Sequence, residues 1–486
     1  MIRRIALGIL AVGAVVGALA LERRPVEAPV FAVATEPGTP VVPGGDAVGG
    51  ATWYCGGTPA LGAAEGGEYG GEVVVTNTGE SPSTGTVSIF SVDAAPVRVP
   101  VSVEPRSQSV VDLDAQVTGN FVSAMVELDR ATVSVEQRAL HPAGNAVVPC
   151  ANSTSATWFA ADGFTAEGSD LRLLVTNPYL SAAIVDIGVS TQAGPRTPSS
   201  LQGFVVPPQS LRVVNLEEAG FRDEPVVGVQ LRATTGRVVV AKDQHFLGAG
   251  RLAHVTTMAA PSLDSQWWFA DGEKGAGTSE SLVLFNPTES DVEADIMVLG
   301  LGTVPSSDGA SQVPLELAPT TLTIPSEEVV VFDTAGLPGL PDGAHGFLVT
   351  TRSTASLVVE RVITRPSGDA VATSVVVGAQ PRALSTRWIV PVTPSVPLED
   401  ALVVLNASAT AGTVDVLSIG PGGEEPLPGL SDVPLAANSV LSIDLLDAVS
   451  VGRPVIVVSD QPIVVERRLE RSATSSGRGG SLALPE

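Results

Sequence analysis

The sequence predicts an all-β protein: four tandem immunoglobulin-like β-sandwich repeats behind an N-terminal transmembrane or signal helix. Three observations carry this expectation. Aromatics make up only 4% of the 486 residues while Gly and Pro number 50 and 38, and the abundant Val and Thr favour short β-branched strands cut by turns. A Trp-headed segment recurs four times, as TWYCGG from Thr52, TWFAADG from Thr157, QWWFADG from Gln266 and RWIVPV from Arg387. The interval between copies, about 105 to 120 residues, exceeds a solenoid or propeller repeat and suits a closed two-sheet domain.

The chain begins with Arg3 and Arg4, followed by an uncharged run from Ile5 to Leu21 that Glu22, Arg23 and Arg24 close. A run of this length is at the lower limit for a spanning helix and slightly long for a signal-peptide core. Residues 1–21 therefore read as a signal anchor, or as a signal peptide cleaved after Ala18-Leu19-Ala20, and either reading places the body outside the cytoplasm. Residues 22–50, rich in Pro, Gly, Val and Ala, read as a flexible linker. The repeats then occupy 51–155, 156–264, 265–384 and 385–486, the last with a C-terminal tail.

Each repeat runs through the same elements. From Trp53, Trp158, Trp267 and Trp388 the chain reaches an apolar strand ending in Asn77, Asn177, Asn286 and Asn406, 18 to 24 residues on. Asn followed by Pro or Gly reads as turn chemistry, because Asn tolerates positive φ and Pro forbids continued pairing. Two alternating strands come next, and each repeat closes on VSVEQR from Val133, VVVAK from Val238, LVVER from Leu357 or IVVER from Ile463. The pairs Glu360-Arg361 and Glu466-Arg467 in these runs could form a recognition edge. Adjacent strand residues face opposite sides, so the competing reading gives each a cross-strand partner. Repeats of this size could also supply two four-stranded blades each to one β-propeller-like ring, which is the alternative architecture.

The order W-F-A-x-G, an apolar strand ending in N-P, and V-V-x-E-R resembles the repeat of the DUF5719 family, actinobacterial secreted or membrane-anchored proteins of unknown function. The resemblance spans about residues 50 to 486 and is strongest in the second and third copies. The first copy has Asn77-Thr78 in place of Asn-Pro, the second has Ala241-Lys242 in place of Glu-Arg, and the fourth lacks the Phe-Ala-x-Gly tail and the Pro. The resemblance implies a location and a repeat architecture and brings no catalytic residues with it.

Cys55 and Cys150 bracket the first repeat, and in an oxidising exterior they read as a disulfide whose long loop is worth roughly 4 kcal/mol in the chain-entropy model. A two-cysteine metal site lacks histidine partners, since His141 alone is near in sequence. One large aromatic per sandwich reads as the centre of a core, with a sugar-stacking platform as the rival. Asp162-Gly163 and Asp271-Gly272 read as turns, because no D-x-D-x-D-G loop accompanies them.

A net charge of −25 repels phosphate backbones and argues against nucleic acid as a partner. His141, His245, His254 and His345 are scattered, with no H-E-x-x-H, and there is no G-x-S-x-G elbow or phosphate-binding Gly-rich loop. No cofactor and no enzymatic activity are therefore expected. The expected role is a non-catalytic scaffold or adhesion-like protein of the bacterial cell envelope, held to the membrane by its N-terminal helix and docking an envelope protein. The alternative is a binder of cell-wall glycan through Trp-headed surfaces.

Overall fold

A computed structural model describes residues 50–61, 69–117, 119–305, 312–352, 354–391, 399–445, 453–472 and 475–486. The segment expected to be a signal anchor and nearly all of the expected linker lie outside these residues. Among the described residues no helix is long and apolar enough to cross a membrane. Their secondary structure is strand throughout, interrupted by four single-turn 3₁₀ segments.

Four strands recur in every repeat and hold its motif residues. The Trp strands are Ala51–Ala60, Thr157–Gly163, Gln266–Lys274 and Ser385–Val390; the Asn strands are Gly70–Asn77, Asp170–Asn177, Ser279–Asn286 and Glu399–Asn406. The latch strands, which carry the Glu-Arg positions, are Val133–His141, Val239–Gly248, Val358–Ser367 and Val455–Ser472. The closing strands are Gly144–Pro149, Arg251–Met258, Ala370–Val377 and Ser475–Leu482.

Repeats 1 to 3 each build two antiparallel sheets. In the first repeat one sheet runs Ala51–Ala60, Gly119–Leu128, Ser83–Ser91, Val97–Val103, and the other runs Ser107–Asp112, Asn strand, latch strand, closing strand. Repeats 2 and 3 keep this order, with Gly194–Arg196 and Phe204–Val206 both pairing with Ala183–Thr191 in repeat 2 and a separate two-stranded ribbon of Thr303–Pro305 and Gln312–Pro314 in repeat 3. In repeat 4 the long strand Val455–Ser472 serves both sheets: residues 455–459 pair with the Trp strand and with Gly412–Gly420, and residues 463–472 pair with the Asn and closing strands. Asp162 and Asp271, expected in turns, lie inside Trp strands. Each is almost fully buried and paired with an arginine, Arg251 at 3.1 Å and Arg365 at 2.9 Å. Their charge, rather than turn geometry, accounts for them.

The Asn strands show how the repeats are arranged. Val73, Val74 and Val75 are all buried, as are Leu173, Leu174 and Val175, the run Leu282 to Phe285 and the run Leu402 to Leu405. Successive strand residues face opposite sides, so uninterrupted burial requires cover on both faces. Leu173 and Val175 pack into their own repeat's core, while Leu174 joins Phe90, Phe121 and Met125 of the first repeat. The third repeat shares one core with Phe159, Phe164 and Phe246 of the second, and the fourth shares one with Trp268, Ala270 and Leu348 of the third.

The contacts also close back on the start. The closing strand of repeat 1 packs against those of repeats 2 and 4, and the closing strand of repeat 3 packs against the same two. Ile389 and Leu484 of repeat 4 belong to the core of repeats 1 and 2, and Thr78 of repeat 1 meets Glu486. Four closing strands thus meet in a cycle, and those of repeats 2 and 4 also touch across its middle.

The seams between repeats

The tryptophans of the recurring motif are core residues. Trp53, Trp158, Trp267 and Trp388 are 0 to 1% exposed. The indole Nε1 donates to a backbone oxygen in three repeats: Val238 at 3.0 Å and Leu357 at 3.0 Å, each just before its latch strand, and Ile463 at 3.1 Å, midway along the longer latch strand of repeat 4. In the first copy the Trp53 Nε1 has no partner. A buried indole pinned at its one polar atom fixes the Trp strand against the latch strand.

None of the four motif asparagines is among the positive-φ residues, so the expected backbone reason for them gives way to a side-chain one. The Asn286 amide donates to the carbonyls of Ser290, Ile324 and Pro325 at 2.8, 3.1 and 3.0 Å, while its Oδ1 accepts from Thr288 N at 3.0 Å. Asn177 makes the same set with Ser181, Val206, Pro207 and Tyr179. Asn77 does so with Ser81, Val103, Glu104 and Gly79, and Asn406 with Thr410, Ala436 and Ser408. Only a short amide offers donors and an acceptor at this reach. Asn286→Asp should therefore cost about 2 kcal/mol or more, because a carboxylate strands buried carbonyls. A denaturation midpoint equal to wild type would refute this role.

The latch strands carry charge across the seams. Glu360 of repeat 3 pairs with Lys242 of repeat 2 and accepts the amide of Asp162 at 2.8 Å. Glu466 of repeat 4 pairs with Arg361 of repeat 3 at 2.7 Å and accepts the amide of Ala270 at 2.6 Å. The partners of Glu360, Arg361 and Glu466 thus lie in the neighbouring repeat, while Arg467 alone keeps a cross-strand partner, Asp400, within its own sheet. Burial pushes the Glu360 and Glu466 carboxyls up, against the opposing pull of Lys242 and Arg361. At the fourth seam Arg467 forms a two-pronged pair with Asp400 at 2.9 and 3.0 Å and feels the charge of Glu136 in repeat 1.

The seam between repeats 1 and 2 differs. Strand register places Gln137 where the other repeats have Lys242, Arg361 and Arg467, and Ala241 where they have Glu136, Glu360 and Glu466. Cation and carboxylate are missing together, so no charge is stranded. Gln137 turns instead to the backbone of Gly57.

Beside this neutral seam lies a cluster that sequence spacing concealed. His141 of repeat 1 stacks on His254 of repeat 2 at 4.2 Å between ring centres and meets His245 at 4.8 Å, with Tyr69 edge-on at 4.9 Å. His254 Nε2 bonds Asp243 at 2.7 Å, while its Nδ1 is buried without a partner. Burial, then His254 and His245, pushes His141 down to about 3, and burial lowers His245 as well. His345 stands apart, bonded to Glu280 at 2.8 Å. No group of three or more His, Cys, Asp or Glu that could hold a metal ion occurs among the described residues.

Cys55 and Cys150 are joined in a disulfide, as the sequence led us to expect. It ties the Trp strand of the first repeat to the exit of its closing strand. Nearby, the four closing strands line a central cavity of about 60 Å³, bordered by Val148, Thr257, Met258, Val376 and Leu482 among others.

Comparison with known proteins gives a family and little else. A family model described as "Family of unknown function (DUF5719)" matches residues 130–245 and 240–479, from the latch strand of repeat 1 onward. No curated protein matches. Among solved structures, a protein of Thermotoga maritima (1070) is 14% identical with a TM-score of 0.19, covering 24% of this chain and 94% of its own. An α-L-rhamnosidase of Streptomyces avermitilis is 10% identical with a TM-score of 0.15, covering 73% and 45%. A tetra-tandem repeat from the extending region of a large adhesion protein is 12% identical with a TM-score of 0.10, covering 88% and 99%. Similarity at this level carries no argument about fold or function.

Proposed function

The chain belongs to the DUF5719 family of unknown function, and from that premise we propose that it is a non-catalytic scaffold and interaction protein of the bacterial cell envelope. We read its body as four immunoglobulin-like sandwiches closed into one ring. Two packed sheets of four or five strands in each of the first three repeats support the first part of that reading, and the cycle of closing strands supports the second.

The observation that carries the functional reading is where the repeated chemistry goes. The recurring tryptophans and asparagines and the latch charges, which would mark a site if exposed, are all buried. Residues spent on packing and seams build a stiff body, and a stiff body suits presentation of loops and edges to a partner. The Cys55–Cys150 disulfide favours an oxidising compartment. Membrane attachment through the N-terminal helix and a protein partner in the envelope complete the proposal. The glycan alternative loses its platform, because the four motif Trp rings are buried.

Incubating the purified protein with isolated cell envelopes separates the two readings. The scaffold reading expects retention that protease treatment of the envelope abolishes and glycan digestion leaves intact. Retention that tracks the glycan, or no retention by either preparation, would overturn it.

A further inference from the structure

We propose that the seam between repeats 1 and 2 is an acid-sensitive gate: mild acidification loads its clustered imidazoles with charge and opens the ring there while the other three seams hold. Two features of the fold meet at this seam and at no other among the described residues. The first is the loss of the latch pair through Gln137 and Ala241, which leaves apolar packing, the Thr176–Ser123 hydrogen bond and the exposed Arg212–Asp93 pair in place of the buried ion pairs that tie repeat 2 to 3 and repeat 3 to 4. The second is the packing of His141 against His254 and His245 across the seam.

The charged groups facing the cluster cannot absorb more protons on it. Asp243, on the latch strand, is already bonded by His254 at 2.7 Å and Thr256 at 3.2 Å. Asp170, on the Asn strand, pairs with Arg172 and accepts from Asn215 at 3.1 Å, and Glu217 and Glu218 lie near enough to influence it. Arg172 itself spans the seam, lying 5.2 Å from the ring centre of Phe121, and repels an added imidazolium. Tyr69 offers His141 only a ring edge. A second or third proton therefore meets two neighbouring rings and a guanidinium, with the nearest carboxylates committed.

Acid favours the open seam. A histidine whose closed-state value lies below the ordinary 6.5 binds its proton more readily when the seam is open, so closure is favoured above pH 6.5 and weakens as pH falls toward the closed-state value. For His141, pushed down to about 3, moving from pH 7.5 to 5.5 raises the opening constant by about 10-fold. His245 adds to this. Asp170, pushed up by burial, works in the opposite direction, so histidine variants and not pH alone must carry the test.

Met258 reports the seam without any engineering. Its Sδ packs so closely on Gly56 of repeat 1 that a methyl group there would sit 2.7 Å from it, and the side chain contacts Ala146 and Val148 of the same repeat. Met297, packed at the seam of repeats 3 and 4, is the internal control. Sulfoxide formation by hydrogen peroxide is followed by peptide mass spectrometry at pH 7.5 and 5.5, with circular dichroism recorded to check that the strands persist. The Met258 rate should rise about 10-fold or more at pH 5.5 while Met297 stays level. His141→Asn, which keeps an acceptor for the Ala143 amide, and His141→Asn with His245→Gln should flatten the rise. An unchanged Met258 rate in wild type, an equal rise at Met297, or a rise untouched by either variant would overturn the proposal. If the double variant does not fold, the single variant decides the same question.

Discussion

Glu466→Ala should destabilise the protein by about 3 kcal/mol, the lower part of the range for removing one partner of a buried ion pair. The substitution leaves Arg361 fully buried, with Glu280 at 3.9 Å and Asp271 at 4.0 Å as its remaining carboxylates. It also removes the acceptor of the Ala270 amide. The cost therefore comes from stranded groups more than from the lost attraction, and that distinction can be tested. The first seam already lacks both charges, with Gln137 and Ala241 at the matching positions. Copying it, as Arg361→Gln with Glu466→Ala, should recover more than half of the loss, because no buried charge is left unpaired. Urea denaturation followed by tryptophan fluorescence measures both variants. A double variant no better than the single one would mean that the attraction itself holds the seam.

Much of the architecture is legible in the residues, and what is missed has identifiable causes. Four copies of Trp, Asn and Glu-Arg positions give the repeat count, and alternation gives strands. The packing of repeat on repeat was also written in the chain, in the unbroken runs Val73-Val74-Val75 and Leu402 to Leu405. A sandwich strand with one solvent face alternates; a strand covered on both faces does not. The asparagines were misattributed because Asn is common at positive φ, and no local pattern reveals that its amide will reach carbonyls 26 to 39 residues away. The latch partners are harder still. Glu360 and Lys242 stand 118 residues apart and Arg361 and Glu466 stand 105 apart, and only the placement of whole repeats brings them together. One signal was available: the joint departure of Gln137 and Ala241 from the pattern of the other copies. The histidine cluster has no such trace, because His141 meets its partners only across a seam.

The third repeat alone, residues 265–384, should fail to fold as a monomer, although a free-standing sandwich would complete its core within those bounds. The seam faces explain why. Trp268, Ala270 and Leu348 are buried in a core that belongs mainly to repeat 4, and Phe285 and Val329 press on Gly228 of repeat 2 so tightly that a methyl group there would meet them at 2.5 to 3.0 Å. An aromatic side chain buries roughly 150 to 250 Å², and at about 25 cal/mol per Å² the exposure of one such ring forfeits roughly 5 kcal/mol. That is the whole stability of many domains. Excision also leaves Glu360 and Arg361 without Lys242 and Glu466. The fragment should therefore aggregate or stay unfolded, while residues 50–486 give a monomer with dispersed amide resonances. Adding repeat 2 or repeat 4 to the fragment should improve solubility by covering one face, and both together more than either. A monomeric third repeat that unfolds cooperatively on its own would show that the seams add little, and would return the protein to a string of independent sandwiches.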